Sequence, residues 1–411
     1  MDSFKLTNIS SALTLRTAHK KGGRRLSHED LDIIPNAEIV YDREKILWLG
    51  KKEELPPAYG PLPSIDCQNG MVTPEIVDCH THLIFGGYRS EEHSMRLGGA
   101  DYEEIAKKGG GILATMKATG ELSSDELFAL GMKRCERLHS YGVGTIEIKS
   151  GYGLSRDKEY EISHVIHRLK TALAPGIQIH NTFMAAHAVP PGFSSSRKYL
   201  REVVLPLLEE MAKEGILDSV DIFHERGYFD EEDVKLLFSK AKELGIPRRS
   251  HADEFGDNGG ASLASSYGAL SADHLLQSGP DGMEALARSE TVATLLPGTG
   301  FFLGKKPAHA REFLDRGVCV AIGSDYNPGS CHFDNVLQIA SMAAPLYGMN
   351  LAELWASITL NGARALGLKN QGAIEIGLAP RFSFFRTQNI HDISYFWGRN
   401  LAFEVGLGAG G

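Results

Sequence analysis

The spacing of apolar and polar positions changes once along this chain. Over the first ~70 residues apolar side chains alternate with polar ones in short runs, the period of strands. Glu38–Asp42 and Lys45–Leu49 alternate on either side of Arg43 and Glu44, which predicts a β-hairpin. From about residue 72, short β-branched runs alternate with stretches of helical period, which predicts βα units and a parallel sheet. Eight strands are predicted near Ile76–Cys79, Val143–Lys149, Ile177–Phe183, Val220–Phe223, Arg248–Ser250, Gly268–Ser271, Thr291–Leu295 and Val318–Gly323. Between them, Ser123 and Glu126 form a capping box opening a helix that runs to about Gly142. Asp230 opens another, with Val234, Leu237, Ala241 and Leu244 at helical spacing and Gly245 as its stop.

Eight such units over roughly 250–290 residues predict an α/β fold, a (β/α)8 TIM-like barrel, assigned here to residues 72–371. From Gly372 the pattern returns to short strands. Residues 1–71 and 372–411 are therefore expected to form one small β-sandwich domain built from both chain ends.

Composition narrows the function classes. The 411 residues are 42% hydrophobic and 23% charged, enough for a large core without disulfide staples. The net charge of −9 is spread along the chain, which argues against a nucleic-acid partner. The basic cluster Lys20, Lys21, Arg24 and Arg25 reads as a solvated surface loop. No apolar run approaches the ~18 residues of a membrane helix, and the first residues lack a signal-peptide core. Five scattered cysteines with no CxxC fit a reduced cytoplasm and offer no thiolate zinc site.

The 16 histidines carry the candidate chemistry. Catalytic groups of such barrels come from the C-terminal ends of strands. His80 and His82 end the first strand, and their i, i+2 spacing points both rings to one face. His251 ends the fifth strand, His274 the sixth and Asp325 the eighth. His80, His82, His251 and Asp325 together would bind one divalent metal ion. Three nitrogens and one oxygen suit Zn or Fe better than Mg or Ca. His164 and His167, at i, i+3 on a predicted helix, read as a solvated face, and His93, His332 and His391 as background. The glycines from Gly109 to Gly111 lack the Lys-Ser/Thr of a phosphate loop.

These stretches resemble the amidohydrolase superfamily and, within it, the imidazolonepropionase family. The resemblance runs from about Thr73 to Gly377. It rests on Val77–Leu83 with Phe85–Arg89, Gly109–Ile112, Glu147–Leu154, Ala186–Ala188, His251–Phe255, Asp273-His274, Leu295–Gly298 and Ser324–Ser330. It implies hydrolysis of the cyclic amide of 4-imidazolone-5-propanoate to N-formimidoyl-L-glutamate, a step of histidine degradation. Glu254 takes the acid/base role in this reading, and His274 stands beside the water or the substrate oxygen. Asp325 is both ligand and catalytic group. Arg89 is the fork for the propionate, with Tyr152, His187, Glu254, Asn327, Gly329, Ser330 and Tyr102 as further substrate contacts. A homodimer is also implied.

Binuclear relatives bridge two metals with a carbamylated lysine on the fourth strand. That strand here, Val220–Glu225, has no lysine, and Lys149 lies on the second strand, so one metal is expected. Glu225 is assigned a supporting role. Ser324 stands where the family usually has threonine, and His224 where cysteine is common. Leu378–Phe382 departs from the family's strand at Pro380, which removes a ladder donor and puts the β domain's detail in question.

Two other readings remain open. A heteroaromatic-base deaminase or formimidoylglutamate deiminase would release ammonia. A non-catalytic binding protein on the same fold would hold no tightly bound metal.

Overall fold

In a computed structural model, described over residues 3–99 and 110–405, the chain forms two sheets. The first has five strands: β1 (Phe4–Leu13), β2 (Ile33–Tyr41), β3 (Ile46–Lys51), β4 (Ser64–Pro74) and, from the other end of the chain, β13 (Phe382–Phe385). Their order is β13-β4-β1-β2-β3, with β1 and β4 parallel and the other pairs antiparallel. The hairpin predicted around Arg43 is β2–β3. Pro380 lies before β13, whose ladder to β4 runs from Phe382 opposite Pro74 to Phe385 opposite Met71. The missing donor therefore falls outside the ladder. Leu6, Ile9, Ile39, Phe382, Phe384 and Phe403 form the buried core of this small sheet.

The second sheet is the barrel. Its strands are β5 (Ile76–Asp78), β6 (Val143–Lys149), β7 (Gln178–Ala186), β8 (Ser219–His224), β9 (Arg249–Ala252), β10 (Ser271–His274), β11 (Val292–Leu295) and β12 (Val320–Ile322), all parallel and in sequence order. The sixth strand starts three residues later than its pattern suggests, so His274 is its last residue. Closure occurs just past β5 and β12. The Asp325 N–H donates to the His80 carbonyl at 2.9 Å, and the His82 N–H to the Tyr326 carbonyl at 3.0 Å. The seam of the barrel thus carries three of the four candidate ligands.

Period-two alternation sorts each strand's side chains. On β6, Ile146 and Ile148 join the apolar layer under the helices, while Glu147 and Lys149 are buried on the other face. On β8, Val220 and Ile222 join the apolar layer and Asp221 does not. The barrel interior below the site is consequently charged, with Lys149 paired to Glu147 and Asp221 and Arg249 paired to Asp273.

The capped helices form as their signals predict: Ser124–His139 with the Ser123–Glu126 box, and Glu231–Glu243 capped by Asp230. The basic cluster is a correction. Arg24 donates to the Gly317 and Ser289 carbonyls at 2.9 and 2.6 Å, and Arg25 to those of Asp315 and Arg316 at 3.2 and 3.0 Å. These carbonyls lie at or just beyond the ends of the helices Pro280–Ala287 and Ala310–Arg316. The two arginines cap barrel helices, where cations oppose the negative end of the dipole. Lys21 is paired with Asp30 at 2.7 Å. All five cysteines are free and buried. Among the described residues no helix is long and apolar enough to cross a membrane.

Candidate active site

The strand ends bring His80, His82, His251, His274 and Asp325 together, all almost wholly buried. His80 and His251 have ring centroids 4.6 Å apart, and His251 and His274 5.0 Å. The chain turns sharply to aim these groups inward. Asp253, His274, Leu275 and Asp325 all take left-handed backbone angles, with φ of 52°, 77°, 58° and 52°. Each such residue costs of order 1 kcal/mol, which the surrounding fold sustains at functional sites.

The donor atoms fit a cation. His80 Nδ1 lies 2.7 Å from Asp273 Oδ2, which fixes the tautomer and turns Nε2 inward. That buried Nε2 has no hydrogen-bond partner. His82 Nε2 and His251 Nε2 face each other at 3.3 Å, and Asp325 Oδ1 lies 3.6 and 3.8 Å from His80 Nε2 and His82 Nε2. Burial, reinforced by neighbouring cations, holds His80 and His82 well below the usual imidazole range, so both are neutral and free to donate a lone pair. Burial pushes Asp325 up to about 6, and Thr299 donates its hydroxyl to the carboxylate's other oxygen. His251 Nδ1 is backed by Asp221 Oδ2 at 3.2 Å.

Beneath these ligands lies a layer that the sequence did not single out. Lys149 Nζ donates to Glu147 at 2.7 Å and to Asp221 at 2.8 Å, and lies 3.7 Å from Asp273. Arg249 donates to Asp273 at 2.9 Å and to the Cys79 carbonyl at 2.7 Å. Burial pushes Asp273 upward, but Arg249 and Lys149 outweigh it and hold the carboxyl at about 2. Asp221 is held low against burial by Lys149 and His251. Both carboxylates are ionised and able to accept from the histidines above them.

The amidohydrolase family model matches residues 71–403. The chain is 40% identical over 370 residues to the imidazolonepropionase of Paracoccus denitrificans, covering 90% of this chain and 92% of that one. It is 39% identical over 404 residues to that of Bacillus velezensis, covering 97% and 94%. The chain belongs to the imidazolonepropionase family of amidohydrolases.

Solved structures share the family's barrel at low identity. An atrazine chlorohydrolase of Arthrobacter aurescens superposes with a TM-score of 0.73 at 15% identity, covering 98% of this chain and 93% of that one. A guanine deaminase of C. acetobutylicum superposes with a TM-score of 0.69 at 16% identity, covering 98% of both. At that identity the likeness is one of fold. A divalent metal is in keeping with the amidohydrolase family and with the buried His and Asp groups.

The remaining candidates of this imidazolonepropionase-family chain fall into three groups. Glu254, Tyr152 and His187 line the cluster. Glu254 Oε2 lies 3.7 Å from His274 Nδ1; burial and the charges of Asp325 and Glu225 push it up to about 8. His187 stacks on His82 with centroids 4.8 Å apart, is tied to the Gly151 carbonyl at 3.1 Å, and is lowered to about 4 by burial and His251. Tyr152 lies 5.8 Å from the His82 ring. Burial and the nearby Asp325 raise its phenol, while Arg89 lowers it. Glu225 accepts the Phe255 N–H at 2.8 Å, which supports the segment bearing Glu254.

Asn327 and Ser330 serve their own loop. Asn327 donates to the Asp325 carbonyl at 2.7 Å and accepts the Gly329 and Ser330 amides, both at 2.8 Å. Ser330 Oγ is in turn bonded to Asn327. Gly329, expected among the substrate contacts, leaves room for the Arg89 guanidinium. A Cβ there would stand 1.9 Å from Arg89 Nη1. Tyr102 lies outside the described residues, as does Gly109. His93 packs on Phe302 and His391 stacks on His28. A cavity of about 130 Å³ with Leu276, Leu296, Pro297, Phe301 and Tyr347 in its wall reaches His274.

Proposed function

We propose that this chain hydrolyses the ring amide of 4-imidazolone-5-propanoate and releases N-formimidoyl-L-glutamate. The observation that carries this reading is the convergence of His80, His82, His251 and Asp325 beside two candidate proton-handling groups, Glu254 and the buried His274. The donor set of three nitrogens and one oxygen favours zinc or ferrous iron. Such a cation supplies activated water at neutral pH and polarises the ring carbonyl.

The chain's own residues do the rest. Glu254 takes a proton from water at its carboxylate and returns it to the departing ring nitrogen. A general base is most useful near the working pH, and the raised pKa of Glu254 moves it in that direction. Neutral His274, held well below the usual imidazole range by burial and His251, donates to the oxygen that gains negative charge. Arg89 holds the propionate, so binding of a remote group orients the reacting one. Tyr152 and His187 wall the ring.

The test is turnover of imidazolone propionate by the metal-loaded protein, beside a panel of cyclic amides and aminated heterocycles. Turnover of the imidazolone is expected. Activity on another member of the panel, with none on the imidazolone, would replace the substrate assignment.

A further inference from the structure

Arg89 does not stand free at the mouth of the site. It precedes the helix Ser90–Leu97, and its Nε and Nη2 both donate to Glu92 Oε2, at 2.9 and 2.7 Å. Glu92 is buried, and its second oxygen accepts the Gly111 N–H at 3.0 Å. The carboxylate is thereby fixed at both oxygens before it holds Arg89. Arg96, one turn along the same helix, lies 3.7 Å from Glu92 Oε2 and donates to the Gly329 carbonyl at 2.8 Å. Gly329 closes the arrangement from below, since its missing Cβ leaves the space that Arg89 Nη1 fills.

Two consequences follow from this geometry. One edge of the guanidinium, Nε with Nη2, is committed to Glu92. The opposite edge, ending in Nη1, has no hydrogen-bond partner among the described residues. The trio of two guanidinium groups and one carboxylate also carries one net positive charge, which matches a single carboxylate of a ligand. A guanidinium held at one edge presents the other in a fixed place and loses less rotamer freedom on binding.

We infer that Glu92 is a positioning residue for substrate, clamping Arg89 against Gly329 so that its free edge meets a carboxylate at one distance from the reacting ring. This rests on the reading of Arg89 as the fork for the propionate. Glu92 acts through Arg89 and selects an anionic side chain of fixed reach.

The experiment compares KM and kcat of wild type, Glu92→Gln, Gly329→Ala and the double variant. Each is assayed on imidazolone propionate and on the same ring bearing the uncharged propionamide. Loss of one charge-assisted contact predicts a KM rise of roughly ten- to a hundredfold for the acid in each single variant. Values for the amide should move less than threefold. The Gly329→Ala side chain meets the tip of a flexible arginine, so this variant reaches Arg89 without touching Glu92. The double variant should be no worse than the poorer single one, because both act on the same guanidinium. Equal effects on acid and amide, an unchanged KM for the acid, or additive losses would overturn the inference. Failure of wild type to turn over the acid would overturn the substrate reading instead.

Discussion

Asp273 Oδ2 lies 2.7 Å from His80 Nδ1, at the point where the charged floor of the barrel meets the proposed metal ligands. The same oxygen accepts from Arg249 at 2.9 Å. Asp273 therefore joins a buried cation to a ligand and holds the imidazole with Nε2 turned inward. Asp273→Asn should weaken metal binding about 10- to 100-fold, the usual cost of losing such a partner. Competition with a coloured chelator measures this directly. Unchanged affinity would show that His80 is oriented without it.

Glu254 is proposed to move the proton of the reaction. Glu254→Gln should lower kcat by roughly 10²- to 10⁴-fold and leave metal content near that of wild type. Its titration should also be visible in the pH profile. Burial and nearby carboxylates favour its neutral form, so activity should rise with pH as the carboxylate forms. The acid limb of kcat/KM should lie above 4.5, the ordinary value, and at or below about 8, the value without a bound cation. A limb at or below the ordinary value would remove Glu254 from this role.

His180 sits away from the cluster, buried on β7 with Nε2 3.2 Å from Ser219 Oγ. Burial lowers it from 6.5 to about 3. The unfolded chain therefore binds this proton more readily than the folded one. Stability is full above 6.5 and falls as pH drops from there toward 3. Between pH 7 and pH 5 this group should remove about 2 kcal/mol. Urea unfolding at the two pH values should show a smaller difference for His180→Gln than for wild type.

Arg24 caps carbonyls near two helix ends from a distant part of the chain. Arg24→Ala should destabilise the fold by about 1–2 kcal/mol while leaving KM unchanged. Chemical denaturation read alongside the assay separates these two effects.

Much of the site was legible in the sequence because its residues end strands whose hydrophobic pattern is strong. The pair His80 and His82, with His251, His274 and Asp325, needed only the strand map. Lys149, Asp221 and Arg249 were harder to read. Lys149 pairs with Asp221 and Arg249 with Asp273 across different strands, so barrel closure is needed to make these pairings visible. One local signal existed on β6, where Glu147 and Lys149 alternate with Ile146 and Ile148. Arg24 and Arg25 were misread because the carbonyls they cap lie more than 260 residues away. Arg89 is a local i,i+3 neighbour of Glu92, but the Gly111 amide that fixes the carboxylate's second oxygen comes from 19 residues on, so the clamp was not legible in the sequence.

The reaction itself is tested most directly by running it in ¹⁸O-water and analysing the products from imidazolone propionate. Ring opening should place one solvent oxygen in the new carboxylate of N-formimidoyl-L-glutamate and release no ammonia. Ammonia release, or recovery of the intact ring under conditions where the protein is folded and metal-loaded, would contradict the proposed function.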